Sequence, residues 1–189
     1  MPQIAPLYPS ATERSLRLAS LLFPILVECA KQGKLISYGD LIERAQTTYP
    51  DNSEIQRAIP RASGRILDVI RTFCLRRGVP DLASIVVQRG TTVPGPNYVG
   101  LAQASEFQKE AFAFNWEADG VVFEAEVVEA IRINKRKLLS EAAARDVLFA
   151  YFKENEARFP ASIRNHREKI LVLLMEGFDP HEAFEMALA

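Results

Sequence analysis

The sequence predicts a mostly helical α+β protein, with a winged helix-turn-helix over residues 10–100 and an α-helical C-terminal extension over residues 101–189. Three observations predict it. Apolar residues recur at helical spacing in several separate stretches, most of them opened by a capping residue or closed by Gly or Pro. A β-branched run, Leu82-Ala83-Ser84-Ile85-Val86-Val87, interrupts them and leads into a Gly/Pro-bearing turn. Before that run, residues 57–77 hold six arginines, Arg57, Arg61, Arg65, Arg71, Arg76 and Arg77, against one acid, Asp68.

The elements follow in order. Residues 1–9 carry three prolines and read as an irregular arm. A first helix starts at Ser10 or Thr12, with Glu13 in its first turn, where a carboxylate suits the helix dipole. Leu18, Leu21, Leu22, Ile25, Leu26 and Cys29 give it a core face, Pro24 predicts a kink, and Gly33 ends it. Ile36 is a short strand or extended lead-in, and Ser37 caps a helix over 38–46. Ser53 and Gln56 form a capping-box signature for a short helix from Glu54. Pro60 either kinks that helix or opens the next, which runs to about Arg77 with Ala62, Ile66, Val69, Ile70, Phe73 and Cys74 inward. Gly78 and Pro80 stop it. Residues 82–88 read as a strand, 90–92 as its turn and 93–99 as a return segment, the hairpin of a wing.

Beyond residue 100 the expected elements are helices. The first covers 104–114, with a turn at 115–120. Residues 124–132 read as helix on their Ala and Glu content. Lys135-Arg136-Lys137 is a basic turn. Ser140 caps a helix to about Asn155, Pro160 separates it from a helix over 162–176, and Asp179-Pro180 opens a last one through Leu188.

With 48% apolar and 25% charged residues the chain has an ordinary globular composition. Its net charge of −1 removes the simplest argument for nucleic-acid binding. The distribution is uneven: residues 1–100 have 12 Lys and Arg against 8 Asp and Glu, and residues 101–189 have 11 against 16. That split fits two units with different surfaces, and it also fits modest variation between helix faces. Cys29 and Cys74 sit in apolar helical surroundings and read as free buried thiols, which suits a reducing compartment. The apolar stretch 16–30 is broken by Arg17, Pro24 and Glu28, too short and polar to span a membrane. A cytoplasmic protein is expected.

Catalysis finds no support in the motifs. His166 and His181 have no Cys or His neighbour at ligand spacing, so no metal or cofactor is expected. There is no phosphate-binding glycine loop, dinucleotide fingerprint or nucleophile elbow. Glu124, Glu126 and Glu129 fit the wet face of a helix better than a carboxylate pair, because nothing nearby would tune them. The arginines differ. Arg57, Arg61 and Arg65 are spaced i, i+4, i+8 and on a continuous helix would share one face. Such a row can neutralise phosphates and donate to guanine edges. It also fits a solvated face with salt bridges to Glu54 and Asp68.

The order of these signals resembles the DNA-binding domain of the O6-alkylguanine-DNA alkyltransferases and their non-catalytic alkyltransferase-like relatives. Ser37-Tyr38-Gly39-Asp40-Leu41 is similar to that family's T-Y-G-[DE]-[IVL] lead-in to the helix-turn-helix. Arg61-Ala62-Ser63-Gly64-Arg65-Ile66-Leu67 is similar to its recognition-helix motif R-x-V-G-[RG]-x-[LM]. The run 82–87, followed by Asn97-Tyr98-Val99-Gly100, stands where the family has P-C-H-R-V-[VI] and G-x-Y-x-G-G. The resemblance implies a winged helix that enters the minor groove, with Tyr38 near the backbone of a displaced nucleotide and Arg61 filling the gap in the stack. Ala83 stands at the alkyl-accepting cysteine, and Ser84 and Ile85 at the histidine and arginine after it. Alkyl transfer needs an activated thiolate, so this alignment excludes it.

The expectation is therefore a non-enzymatic DNA-binding protein. Arg57, Arg61 and Arg65 would line the recognition helix, Arg89 the wing, and Ser37 and Tyr38 the backbone contact of the first helix. The alternative is a protein-interaction module, an accessory or inhibitory subunit of a nucleic-acid-handling or defence-related complex, that meets its partner through the acidic C-terminal helices.

Overall fold

The computed structural model describes residues 7–133 and 138–188. The chain divides into two compact units, residues 1–134 and 135–189.

The first unit is built on α1 (Glu13–Lys31). Thr12 and Ser15 cap it reciprocally: the Thr12 hydroxyl accepts from Ser15 N, and Ser15 Oγ accepts from Thr12 N. Two of the orphan amides at the helix start are thereby satisfied. Leu16, Leu22, Phe23 and Leu26 point into the core, while Pro24 lies on the exposed side of the helix. Against α1 pack α2 (Tyr38–Thr48), α3 (Ser53–Gln56), α4 (Gly64–Arg77), α5 (Ala104–Ala113) and α6 (Asp119–Ile133). Gly78 ends α4 in the left-handed region, φ 67°, which a side chain would resist. Phe23 sits among Phe73 at 5.6 Å, Phe123 at 4.4 Å and Trp116 at 6.2 Å between ring centroids. This aromatic cluster joins α1, α4 and α6 in one core.

The strand content is one two-stranded parallel ladder, β1 (Ile36–Ser37) with β2 (Val86–Val87), among the described residues. Ile36 pairs with Val86 and Ser37 with Val87. The fold is thus mostly helical with a small sheet. The second unit has its own core. It holds α7 (Glu141–Asn155), α8 (Arg167–Met175) and α9 (Pro180–Leu188), closed around Ala144, Ile170, Leu173, Leu174 and Phe184.

Several expectations change. The division falls at 134/135 instead of 100/101, because α5 and α6 supply Ala111, Trp116, Phe123, Val127 and Ala130 to the core of α1. Trp116 stands in the turn region expected for it, between α5 and α6, but is buried there and donates Nε1–H to the Ala111 carbonyl at 2.8 Å. The charge split dissolves with the boundary: residues 1–134 carry 14 cations against 15 anions, and residues 135–189 carry 9 of each. Glu126 and Asp119 of α6 meet Arg76 and Arg77 of α4 within the first unit, so part of the sequence asymmetry records an internal pairing. Helix α3 is capped by Asn52, not Ser53, through its side-chain oxygen on the amides of Glu54 and Ile55. Ala62 is exposed. Residues 82–85 form a 3-10 turn in place of the first half of the expected strand, and 93–99 form no return strand. The basic turn at Lys135-Arg136-Lys137 lies outside the described residues.

Candidate nucleic-acid interface

Pro60 decides the geometry of the arginines. It has no N–H to give the Gln56 carbonyl, so α3 cannot run through it. It opens a separate 3-10 turn, Pro60–Ala62, and α4 begins only at Gly64. Arg57 caps α3, Arg61 lies in the 3-10 turn, and Arg65 is the second residue of α4. The single helical face expected from their spacing is therefore not formed. The three stand instead on a bent ribbon of consecutive short elements. Arg57 and Arg61 are exposed and have no ion pair among the described residues. Arg65 is half-buried, and its charge is felt at Asp68.

A side-chain clamp fixes this ribbon. The Gln46 carboxamide, on α2, donates to the carbonyls of Ile55 at 3.3 Å, Gln56 at 3.3 Å and Ala58 at 3.2 Å. Gln56 returns the contact, donating to the carbonyls of Gln46 at 2.8 Å and Tyr49 at 3.2 Å. These bonds bring side-chain donors to carbonyls at the ends of α2 and α3, of which Ile55 and Tyr49 also accept from the backbone amides of Ala58 and Asn52. Gln56, predicted as half of a capping box, serves this clamp.

The other three arginines of the stretch are committed elsewhere. Arg71 Nε donates to Asp81 Oδ2 at 3.0 Å, and both side chains are largely buried. Tyr98 donates to the same oxygen at 2.6 Å, and the Arg71 guanidinium lies 5.3 Å from the Tyr98 ring centroid. Asp81 Oδ1 accepts from Ala83 N at 3.0 Å, which starts the 3-10 turn where a strand was expected. Arg76 pairs with Glu126 at 3.1 Å, and Arg77 stands 3.6 Å from buried Asp119. Glu126 also accepts from Tyr8, over whose ring Arg76 lies. Both phenols are raised above the ordinary tyrosine value, first by burial and then by the neighbouring carboxylate. Burial pushes the Cys74 thiol up to about 12, which leaves it unreactive at neutral pH.

The lead-in and the strand region meet as the motif order suggests. The parallel ladder sets Ser37 beside Val87, so both chains leave the sheet at the same end. The Ser37 hydroxyl is buried and engaged with Asp40, donating to its carboxylate at 2.7 Å and accepting from its amide at 3.1 Å. It is a helix cap, not an outward contact. The Tyr38 hydroxyl accepts from Gly95 N at 3.0 Å and keeps its own proton to donate. Gly95 permits this approach: a Cβ there would stand 3.1 Å from the Tyr38 oxygen. Arg89 is exposed in the turn after β2, without an ion pair among the described residues. That turn is closed by Gln88 N on the Val93 carbonyl at 2.9 Å. Buried Gln108, on α5, pins it by donating to the carbonyls of Ser84 at 3.0 Å and Thr92 at 3.1 Å. The Ala83 methyl is buried within the 3-10 turn.

Sequence reasoning missed Gln46, Gln108 and the Arg71–Asp81–Tyr98 group, because each acts across more than a few residues of chain. No group of three or more His, Cys, Asp or Glu side chains placed to share a metal ion occurs among the described residues, and no described helix is long and apolar enough to cross a membrane. Comparison of the chain with protein-family models, with curated proteins and with solved structures gives no match.

Proposed function

We propose that this chain is a non-catalytic DNA-binding protein. In this reading α2 and α4 act as a helix-turn-helix pair, the ribbon 57–65 presents arginine to the duplex, and the pinned turn 88–93 stands in for a wing and carries Arg89. The observation that carries it is the division of the arginines. Arg71, Arg76 and Arg77 are neutralised by carboxylates of their own unit, whereas Arg57, Arg61 and Arg89 are exposed without an ion pair among the described residues. An unneutralised guanidinium carried on backbone held by side-chain hydrogen bonds is suited to release counterions from a phosphate backbone. Tyr38 supports the reading by its place at the sheet end shared with the turn.

A fluorescence-anisotropy titration of a labelled duplex at two salt concentrations tests it. Binding should weaken steeply with salt, and Arg57→Ala and Arg61→Ala should each lower the slope by about one. Unchanged binding in the double variant would overturn the assignment of the interface. A second reading, a protein-interaction module, is favoured by Phe149 of α7 and Val172 of α8, which stand exposed on adjoining helices of the second unit. The described part of that unit, residues 138–188, carries 6 Lys and Arg against 9 Asp and Glu, in keeping with the acidic helices first expected to drive such a contact.

A further inference from the structure

Ile59 stands between the two unneutralised arginines. It is 58% exposed, with extended backbone at φ −124°, ψ 145°. Its neighbour Ala58 is buried and anchors the segment, while Arg57, Ile59, Pro60 and Arg61 are all exposed. Pro60 stiffens the position from one side. From the other, Gln46 holds the carbonyls of Ile55, Gln56 and Ala58, so the isoleucine sits on backbone that cannot fold back to cover it. Leu75, Val99, Val121 and Val128 are more exposed still, but Leu75, Val121 and Val128 lie on regular helix surfaces, Val99 has no cation next to it in the chain, and the arginines next to Leu75 are paired. Ile59 alone among these is a fixed apolar knuckle with an unneutralised cation on each side.

We propose that Ile59 is a wedge that enters a base step while Arg57 and Arg61 hold the phosphates on either side, so that the protein selects DNA with a locally weakened step. The proposal rests on the DNA-binding reading above. An apolar side chain pushed between bases unstacks them, and that cost falls where pairing is already impaired. The flanking arginines make nucleic acid the complementary partner: a purely apolar protein surface would leave both guanidiniums to be desolvated without a counter-charge.

The test is a titration of two labelled duplexes, one fully paired and one identical except for a single central mismatch, with wild type, Ile59→Ala and Ile59→Leu. Ile59 is exposed, so neither substitution threatens the fold. Wild type should bind the mismatched duplex roughly tenfold tighter, Ile59→Leu should keep the preference, and Ile59→Ala should lose it while binding the paired duplex with an unchanged salt slope. Equal affinity of wild type for the two duplexes, or a preference that survives in Ile59→Ala, would overturn the wedge and leave DNA binding standing. Failure to bind either duplex would overturn both.

Discussion

The two ends of one arginine-rich stretch have opposite fates. At the C-terminal end, Arg71, Arg76 and Arg77 of α4 turn back on their own unit and meet Asp81, Glu126 and Asp119. At the N-terminal end, Arg57 and Arg61 face solvent without an ion pair among the described residues. The residue type is the same, so the difference lies in what the fold brings opposite. Helix α6 delivers carboxylates to the far end of α4, from about fifty residues on, and none to the near end. A count of charge along a chain cannot see this, whereas a count within a packed unit can.

The largest effect is expected at Asp81. Asp81→Ala removes the partner of Arg71, the acceptor of Tyr98 and the cap of the 3-10 turn together. Leaving a buried guanidinium unpaired should cost about 3–5 kcal/mol, read by urea denaturation. A loss near zero would mean that Arg71 is not held as described and belongs with the free arginines. Arg76→Ala gives up a partly exposed ion pair and a ring contact, and should cost about 1 kcal/mol while leaving the salt dependence of DNA binding unchanged.

A third test uses pH. Tyr8 and Tyr98 are kept neutral in the fold by burial and by Glu126 and Asp81, so their folded pKa values lie above the unfolded one. The unfolded chain therefore ionises first. The stability linked to these phenols is complete below the ordinary tyrosine value of about 10 and is lost as pH rises above it. Thermal unfolding followed by circular dichroism should show a transition temperature that falls with alkali, and Tyr98→Phe should flatten that fall. An identical alkaline slope in the variant would show that the Tyr98–Asp81 contact does not set it. The smallest effect on stability is expected at the other end: Arg57→Ala and Arg61→Ala should stay within about 0.5 kcal/mol of wild type.

Much of the helical framework was legible in the sequence because its signals are local. Ser37 and Ser140 cap their helices, Gly78 ends α4, and the apolar spacing of Ile66, Val69, Ile70 and Phe73 marks its buried face. Such features need only neighbours within a turn or two. The misreadings arise where a distant group decides. Residues 82–85 have strand propensity, but Asp81 holds the Ala83 amide and Gln108 the Ser84 carbonyl. The turn holding Trp116 is legible in its polar stretch, but the burial of its ring against Phe23, far away in the chain, is not. The candidate interface was legible as a set of residues and not as a shape. Arg57, Arg61 and Arg65 match helical spacing, yet Pro60 divides them, and the clamp that shapes the ribbon comes from Gln46 on another helix.

The most direct test sets the two ends of the stretch against each other in one titration. Wild type, the Arg57→Ala/Arg61→Ala double variant and Arg76→Ala are titrated onto the same duplex at low and moderate salt. The double variant should bind more weakly, with a salt slope lower by about two, and Arg76→Ala should keep the wild-type slope. Equal slopes in all three proteins, or a loss confined to Arg76→Ala, would contradict the assignment of the interface.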